Sequence, residues 1–303
     1  MEFLMREHAP LSDEQWGQID RAVTETARRL LVGRRVLPVF GPVGAGQQIV
    51  FRDTLAGRSA ASVDRWGEGG GEALHVGDRH LVNVPLLYRD FRLHWRDVET
   101  SRQSQIPLDT SAAAEAAAAV AMLEDDLIFN GSAAWQQVGL CTASGRQTAP
   151  LRDWNVYGTA HRDVANAVGM LQSAGFPGPY ALVLSPGLFA AATRPVVGHE
   201  LEIEALRELA ADGVFPSVAL RDSRAVLLAS VPHALDLVIA QDLVTAFLDP
   251  DQMNLIFRVV EALALRVKRP EAVCVLEGRG AGAGGRQGGG ARQGRGRRRA
   301  PGR

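Results

Sequence analysis

Met1–Asp20 reads MEFLMREHAPLSDEQWGQID, and residues 21–42 continue RAVTETARRLLVGRRVLPVFGP. Ser12-Asp13-Glu14-Gln15 is a capping-box pattern, in which a hydroxyl accepts from the third helical N–H and a glutamine reaches back to the cap. Leu11 and Trp16 flank it at hydrophobic-staple spacing. Trp16, Ile19, Val23, Ala27 and Leu30 then recur at helical period, which predicts an amphipathic helix burying one stripe. Gly33 is its expected C-cap.

Beyond this helix the character changes. Gly41-Pro42-Val43-Gly44-Ala45-Gly46 and Trp66-Gly67-Glu68-Gly69-Gly70-Gly71-Glu72 are breaker clusters around short strand-like runs. Residues 41–80 therefore read as a long extended hairpin with little core of its own, poorly stabilised in a monomer and pointing to burial on another subunit. Residues 81–98 read as strand, with Pro85 marking an edge or bend. A long helix is predicted over 109–131, with Ala116, Val120, Leu123 and Leu127 as its buried stripe. Further helices are expected at 160–174, 187–193 and 201–211. Strands are expected at 180–184, 225–231, 236–240, 244–248, 253–267 and 272–276. The order is mixed α+β and not a regular βαβ series.

The 303 residues are 46% apolar and 22% charged, ordinary for a globular chain. The two cysteines, Cys141 and Cys274, exclude a disulfide scaffold and a four-cysteine zinc site. No apolar run approaches a membrane span, and the charged start has no signal-peptide core, so the composition reads as soluble and intracellular. The net charge of -1 conceals a boundary. Residues 278–303 hold 11 Gly, 8 Arg and no acid, a composition expected to be disordered. Removing those 8 Arg from 33 basic residues leaves 25 against 34 acids, so the body 1–277 carries about -9.

Catalytic patterns fail one by one. The 41–46 stretch lacks the Lys-Ser/Thr of a phosphate-binding loop, and the sole lysine, Lys268, lies far from any glycine loop. His199-Glu200-Leu201-Glu202-Ile203 opens like a zinc-protease helix, but Ile203 stands where the second histidine is needed. There is no G-x-S-x-G elbow, and the seven histidines are scattered. Glu124-Asp125-Asp126 points to several sides of its helix and reads as a solvated or inter-subunit face. No metal site and no enzyme activity are expected.

The opening 1–20, Gly33-Arg34-Arg35-Val36 and Gly41-Pro42 together resemble the start of the encapsulin nanocompartment shell proteins (family 1, linocin-like). The resemblance continues in order through Leu123–Gly131 (LEDDLIFNG), Gly178-Pro179-Tyr180, Ala240-Gln241-Asp242-Leu243 and Arg269-Pro270-Glu271-Ala272. It implies an α+β fold of the HK97 phage-capsid type. The N-terminal helix region 1–40 would line the shell interior and 41–80 would be the extended arm (E-loop). Segments 81–179 and 248–277 would form the peripheral domain, 180–247 the axial domain, and 278–303 a disordered Arg/Gly tail. It implies a shell subunit that self-assembles into an icosahedral compartment of about 60 copies (T=1) in the bacterial cytoplasm. The implied cargo is a dye-decolourising peroxidase or a ferritin-like protein carrying a C-terminal targeting peptide. A phage major capsid protein of the same fold is the alternative, although the arm has no lysine for covalent cross-linking. A protease- or bacteriocin-type enzyme is the remaining one.

The resemblance also places sites. Leu30, Leu31, Arg34 and Val36 would bind the cargo peptide, with Arg34 as its polar anchor; the alternative is that these leucines are core. Pro38 stands where related shells often carry Asp, removing one acceptor. Val197, Gly198, His199 and Glu200 would line a five-fold pore, pH-sensitive through His199. Trp95 falls where some shells stack flavin; no cofactor is required, and a Trp packed on an amphipathic strand is the plainer expectation. The tail would give the shell nonspecific affinity for nucleic acid or anionic membrane surfaces.

Overall fold

The computed structural model describes residues 2–57, 61–68, 72–104, 106–221 and 223–278. The Arg/Gly tail expectation therefore lies outside the described residues from Arg279 onward.

Two short 3-10 turns, Glu2–Leu4 and Arg6–His8, lead into α1 (Asp13–Leu30). Both capping-box bonds form, Gln15 N to Ser12 Oγ at 3.3 Å and Ser12 N to Gln15 Oε1 at 3.1 Å. The short α2 (Gly33–Val36) and β1 (Val39–Phe40) follow, then the hairpin β2 (Ile49–Ala56) and β3 (His75–Asn83). Next are β4 (Leu86–Leu93), α3 (Trp95–Ser104), α4 (Ser111–Asn130) and the small pair β5 (Gly131–Ser132) and β6 (Gln137–Val138). A second region holds β7 (Gln147–Pro150), α5 (Thr159–Ser173), β8 (Tyr180–Leu184), α6 (Pro186–Ala192), α7 (Glu202–Leu209), β9 (Gly213–Pro216) and β10 (Ala225–Ala229). The chain ends with β11 (Leu235–Asp251), β12 (Asn254–Val267) and β13 (Val273–Glu277).

These strands form two main sheets. One has the order β1-β11-β12-β4, and α1 and α4 pack across it. Trp16 meets Phe257 edge-on at 5.5 Å between ring centroids, and Phe91 stacks on Phe257 at 5.3 Å, which ties helix to sheet. The alanines Ala113, Ala116 and Ala117 on α4 are buried, and their small side chains let the helix sit close to its neighbours. The other sheet has the order β7-β13-β10-β8-β9 with α5, α6 and α7 around it. Its central strands β8 and β10 are buried at every position, as an unbroken apolar run predicts.

The sheets divide the chain differently from the expected domains. Strand β11 through residue 247 belongs to the first sheet, although 180–247 was assigned to the axial domain. Conversely, β7, α5 and β13 join the second sheet, because β13 returns to pair with β10 and β7. Strand patterns alone do not say which sheet a strand enters.

Three local readings also change. Residues 95–98 are the start of α3 and not strand; Val98 is the only buried residue of that helix, so no helical stripe announces it. Residues 236–240 and 244–248 are one strand, with register shifts between Ile239 and Val244 marking a bulge. The edge strands β7 and β9, each four residues long and ending in proline, carry no strand pattern in the sequence.

The arm is as coreless as its sequence implies. On the β2–β3 hairpin, Phe51, Leu55, Val76 and Leu81 are exposed and only Val50 is buried. Near its tip Val63 and Trp66 are 99% and 77% exposed.

Candidate functional site: the helix-corner groove

The corner between α1 and α2 is built from below by α4. Asp125 is buried, and its carboxylate accepts from the backbone N–H of Gly33 at 2.8 Å and of Val32 at 3.1 Å. These are the free N–H groups at the start of α2. A Cβ at Gly33 would stand 2.4 Å from Ile128 Cδ1, so glycine is required by the close approach of α2 to α4. Its expected role as the C-cap of α1 falls to Leu31.

Burial pushes the Asp125 carboxyl up to about 6, against the opposing pull of the Gly33 and Val32 N–H groups. The folded chain therefore holds this proton more tightly than the unfolded chain. The stability it brings is present in full below about pH 4 and is lost as pH rises through about 6. Between pH 4 and 7, wild type should lose roughly 2 kcal/mol relative to Asp125→Asn. Parallel thermal unfolding of the two proteins checks this, and a pH-independent gap between them contradicts it.

Arg34 is the centre of the site. Its Nε gives a 2.8 Å bond to Glu124 Oε1, and its Nη2 bonds Glu124 Oε2 at 2.9 Å and Glu261 Oε2 at 2.6 Å. Its Nη1 bonds Asp242 Oδ1 at 2.5 Å. Four elements thus converge on one guanidinium: α2, α4, β12 and the bulge of β11. The bulge is what aims Asp242, since Asp242 and Leu243 have no partner across β12. Burial alone would lower the Arg34 pKa. The hydrogen bond and charge of Glu124, the charge of Glu261 and the bond to Asp242 more than reverse this, and the group stays fully charged.

The acidic triplet is therefore not a solvated face. Glu124 and Asp125 are 0% and 3% exposed, and Asp126 pairs with Arg221 at 3.1 Å. The side chains diverge around α4, as adjacent helical residues must, but α4 is covered on enough sides that each finds its own partner.

Above Arg34 lies a groove of about 390 Å³ lined by Thr24, Ala27, Arg28, Leu31, Arg34, Arg35, Asp242 and Leu243. The structure brings Leu31 and Arg34 to this groove. Leu30 is 40% exposed but lies outside its lining, and Val36, 1% exposed, is core. Asp242 and Leu243 also line the groove, a role the resemblance of the Ala240–Leu243 turn does not imply. Nothing in the sequence said that a bulge would turn it onto α1.

The other expected sites lie elsewhere. Val197 is fully exposed on the 194–200 loop, and His199 rests against Tyr157 with ring centroids 4.2 Å apart. Arg194 donates to the Asn155 carbonyl at 2.5 Å, tying this loop to the 153–157 turn. Glu202 is buried and accepts from His161 N–H at 2.9 Å, so the motif's second acid serves α5. Trp95 opens α3 at 37% exposure, with the Arg96 guanidinium 5.6 Å from its ring. Cys141 and Cys274 are buried, and burial pushes their thiols up to about 11 and about 12. Among the described residues no group of three His, Cys, Asp or Glu side chains is placed to hold a metal ion, and no helix is long and apolar enough to cross a membrane.

Comparison with known proteins agrees with this architecture. Residues 1–264 match the family model Linocin_M18, described as encapsulating protein for peroxidase. A type 1 encapsulin shell protein of Myxococcus xanthus, EncA, is 44% identical over 281 residues, covering 92% of this chain and 98% of that one. A diheme-cytochrome-encapsulin shell fusion protein of Kuenenia stuttgartiensis is 41% identical over 268 residues, covering 88% of this chain and 74% of the relative. Among solved structures, the virus-like particle of Pyrococcus furiosus superposes with TM-score 0.70 at 22% identity, covering 87% of this chain and all of that one. The capsid of the myovirus XM1 superposes with TM-score 0.59 at 14% identity over 80% of this chain and 89% of that one, a likeness of fold alone. The fold is thus of the HK97 capsid type, and the protein is a structural shell protein and not an enzyme. On these matches the chain belongs to the Linocin_M18 family, the encapsulin shell proteins.

Proposed function

We propose that about 60 copies of this chain close into a T=1 shell in the bacterial cytoplasm, and that the helix-corner groove holds a terminal targeting peptide of the enclosed cargo enzyme. The observation that carries the groove reading is its composition. Leu31, Leu243 and Ala27 offer apolar seats, while Asp242, Arg28 and Arg35 offer charges at the rim. Arg34 is not the free anchor its sequence position suggests, because four of its five N–H donors go to Glu124, Glu261 and Asp242 and one Nη1 N–H is left for a peptide. Pro38 contributes only backbone here, its carbonyl accepting from Leu237 N–H at 2.9 Å, so Asp242 is the carboxylate left for the peptide. The relatives' names include fusions to a diheme cytochrome and to a ferritin-like protein, which supports a redox or iron-handling cargo.

The decisive experiment is purification of the particles and mass spectrometry of their contents. Leu243→Ala removes one apolar seat, worth about 1–2 kcal/mol, and should lower cargo per shell about tenfold with assembly unchanged. Full loading of that variant would move the peptide elsewhere. Within the same proposal, Val197, Gly198, His199 and Glu200 line a pore, the Arg/Gly tail meets polyanions, and flavin stacks on Trp95. Flavin absorbance in purified shells is the readout for the last.

A further inference from the structure

Beneath the groove, Glu124 and Glu261 are both 0% exposed and, among the described residues, pair with one cation, Arg34. Glu124 spends both oxygens on Arg34, whereas Glu261 spends only Oε2. Glu261 Oε1 is buried with no hydrogen-bond donor. A buried carboxylate oxygen without a donor is costly, and two buried carboxylates beside one guanidinium leave a net negative charge with no water to solvate it. One proton eases both problems: it gives Oε1 an O–H to direct at Glu124 and makes the group of Arg34, Glu124 and Glu261 neutral.

We propose that Glu261 holds a proton directed at Glu124, and that this proton is a latch holding the α1–α2 corner, with its groove, on the sheet. The geometry assigns the proton to Glu261. Burial and then the charge of Glu124 hold its carboxyl well above the ordinary carboxylate range; Arg34 acts in the opposite sense, and the bond to Glu124 and the charge of Asp242 add to the rise. The charged neighbours on the packed elements are few: Arg28 on α1, Arg34 and Arg35 on α2, Asp125 beside Glu124 on α4, and Asp242 on β11. Asp242 does not compete for the proton. Burial would raise its carboxyl, but the hydrogen bond and charge of Arg34, the Leu243 N–H and the charge of Arg28 carry it below the usual range.

The sign follows from a pKa raised in the folded state. The latch contributes its stability in acid and loses it as pH rises through the folded value. Deprotonation leaves two buried charges on one Arg34, which weakens the ionic tie from the corner to β11 and β12.

Glutamine tests this cleanly, because an amide N–H can replace that proton. Assembled wild-type, Glu261→Gln, Glu124→Gln and doubly substituted shells are melted at several values between about pH 6 and 9. Wild type should lose roughly 5 °C over that range, each single variant should stay nearly flat, and the double variant should melt lowest throughout, its Arg34 having no buried anion. Wild type against Glu261→Gln is the cleaner pair, because Glu124→Gln also removes a charge that helps to raise the Asp125 carboxyl. Infrared difference spectra of wild type against Glu261→Gln supply an independent readout that needs no unfolding: a protonated-carboxyl stretch, shifted in heavy water, present only in wild type. Single variants that follow the wild-type pH profile, or the absence of that band at acidic and neutral pH, would overturn the proposal.

Discussion

Replacing Arg34 by alanine will unseat the N-terminal corner and abolish assembly. Among the described residues the side chain is the one cation bonded to Glu124 and Glu261, both fully buried, and its removal leaves the charge they carry without a counter-ion in a dry site. Removing one partner of a buried ion pair typically costs about 3–5 kcal/mol, and here two carboxylates lose their partner at once. Against a marginal folded stability of about 5–15 kcal/mol this is a large fraction. Arg34→Lys restores charge but not shape. A lysine ammonium cannot hold Glu124 through two oxygens and still reach Glu261 and Asp242, so it should fall between wild type and alanine. Gradient sedimentation for particles and circular dichroism of the unassembled fraction check both variants. Alanine shells that melt like wild type would show that the cluster is a spectator.

Deleting residues 56–76 should give the opposite dissociation of effects, a folded subunit that does not assemble. The segment removes Val63, Trp66, Leu74 and Val76, all exposed in the isolated chain, while both main sheets keep every strand. Each large side chain that a neighbouring copy covers is worth roughly 1.5–3 kcal/mol, so losing several at every repeated contact lowers association by orders of magnitude. Electron microscopy should show no particles, while far-ultraviolet dichroism keeps its helical signal. Intact particles would refute the arm as an assembly element.

How much of this was legible beforehand differs from element to element. The start of α1 was, because a capping box and a buried stripe are local patterns that need no partner to be read. The arm was legible for the converse reason: its lack of a core is visible as glycine-rich breaks around short strands. The groove was half legible. Resemblance pointed to Leu31 and Arg34, but Val36 sits at the same kind of apolar position and is core, and only the packing of α2 on α4 separates them. Arg34 reads from sequence as an outward anchor because its three acidic partners lie 90, 208 and 227 residues away, beyond any local pattern.

The sequence by itself determined what depends on near neighbours: helix starts, strand runs, the coreless arm, the absence of catalytic motifs and the -9 body beside an Arg-rich tail. Only the tertiary structure decided which strands share a sheet, that a bulge turns Asp242 onto α1, and that Glu124 and Glu261 meet out of water on one guanidinium. The physical reason is that burial is a property of the whole fold. A carboxylate is an ordinary surface group until elements far apart in the chain close over it, and its charge then becomes the quantity that governs the site.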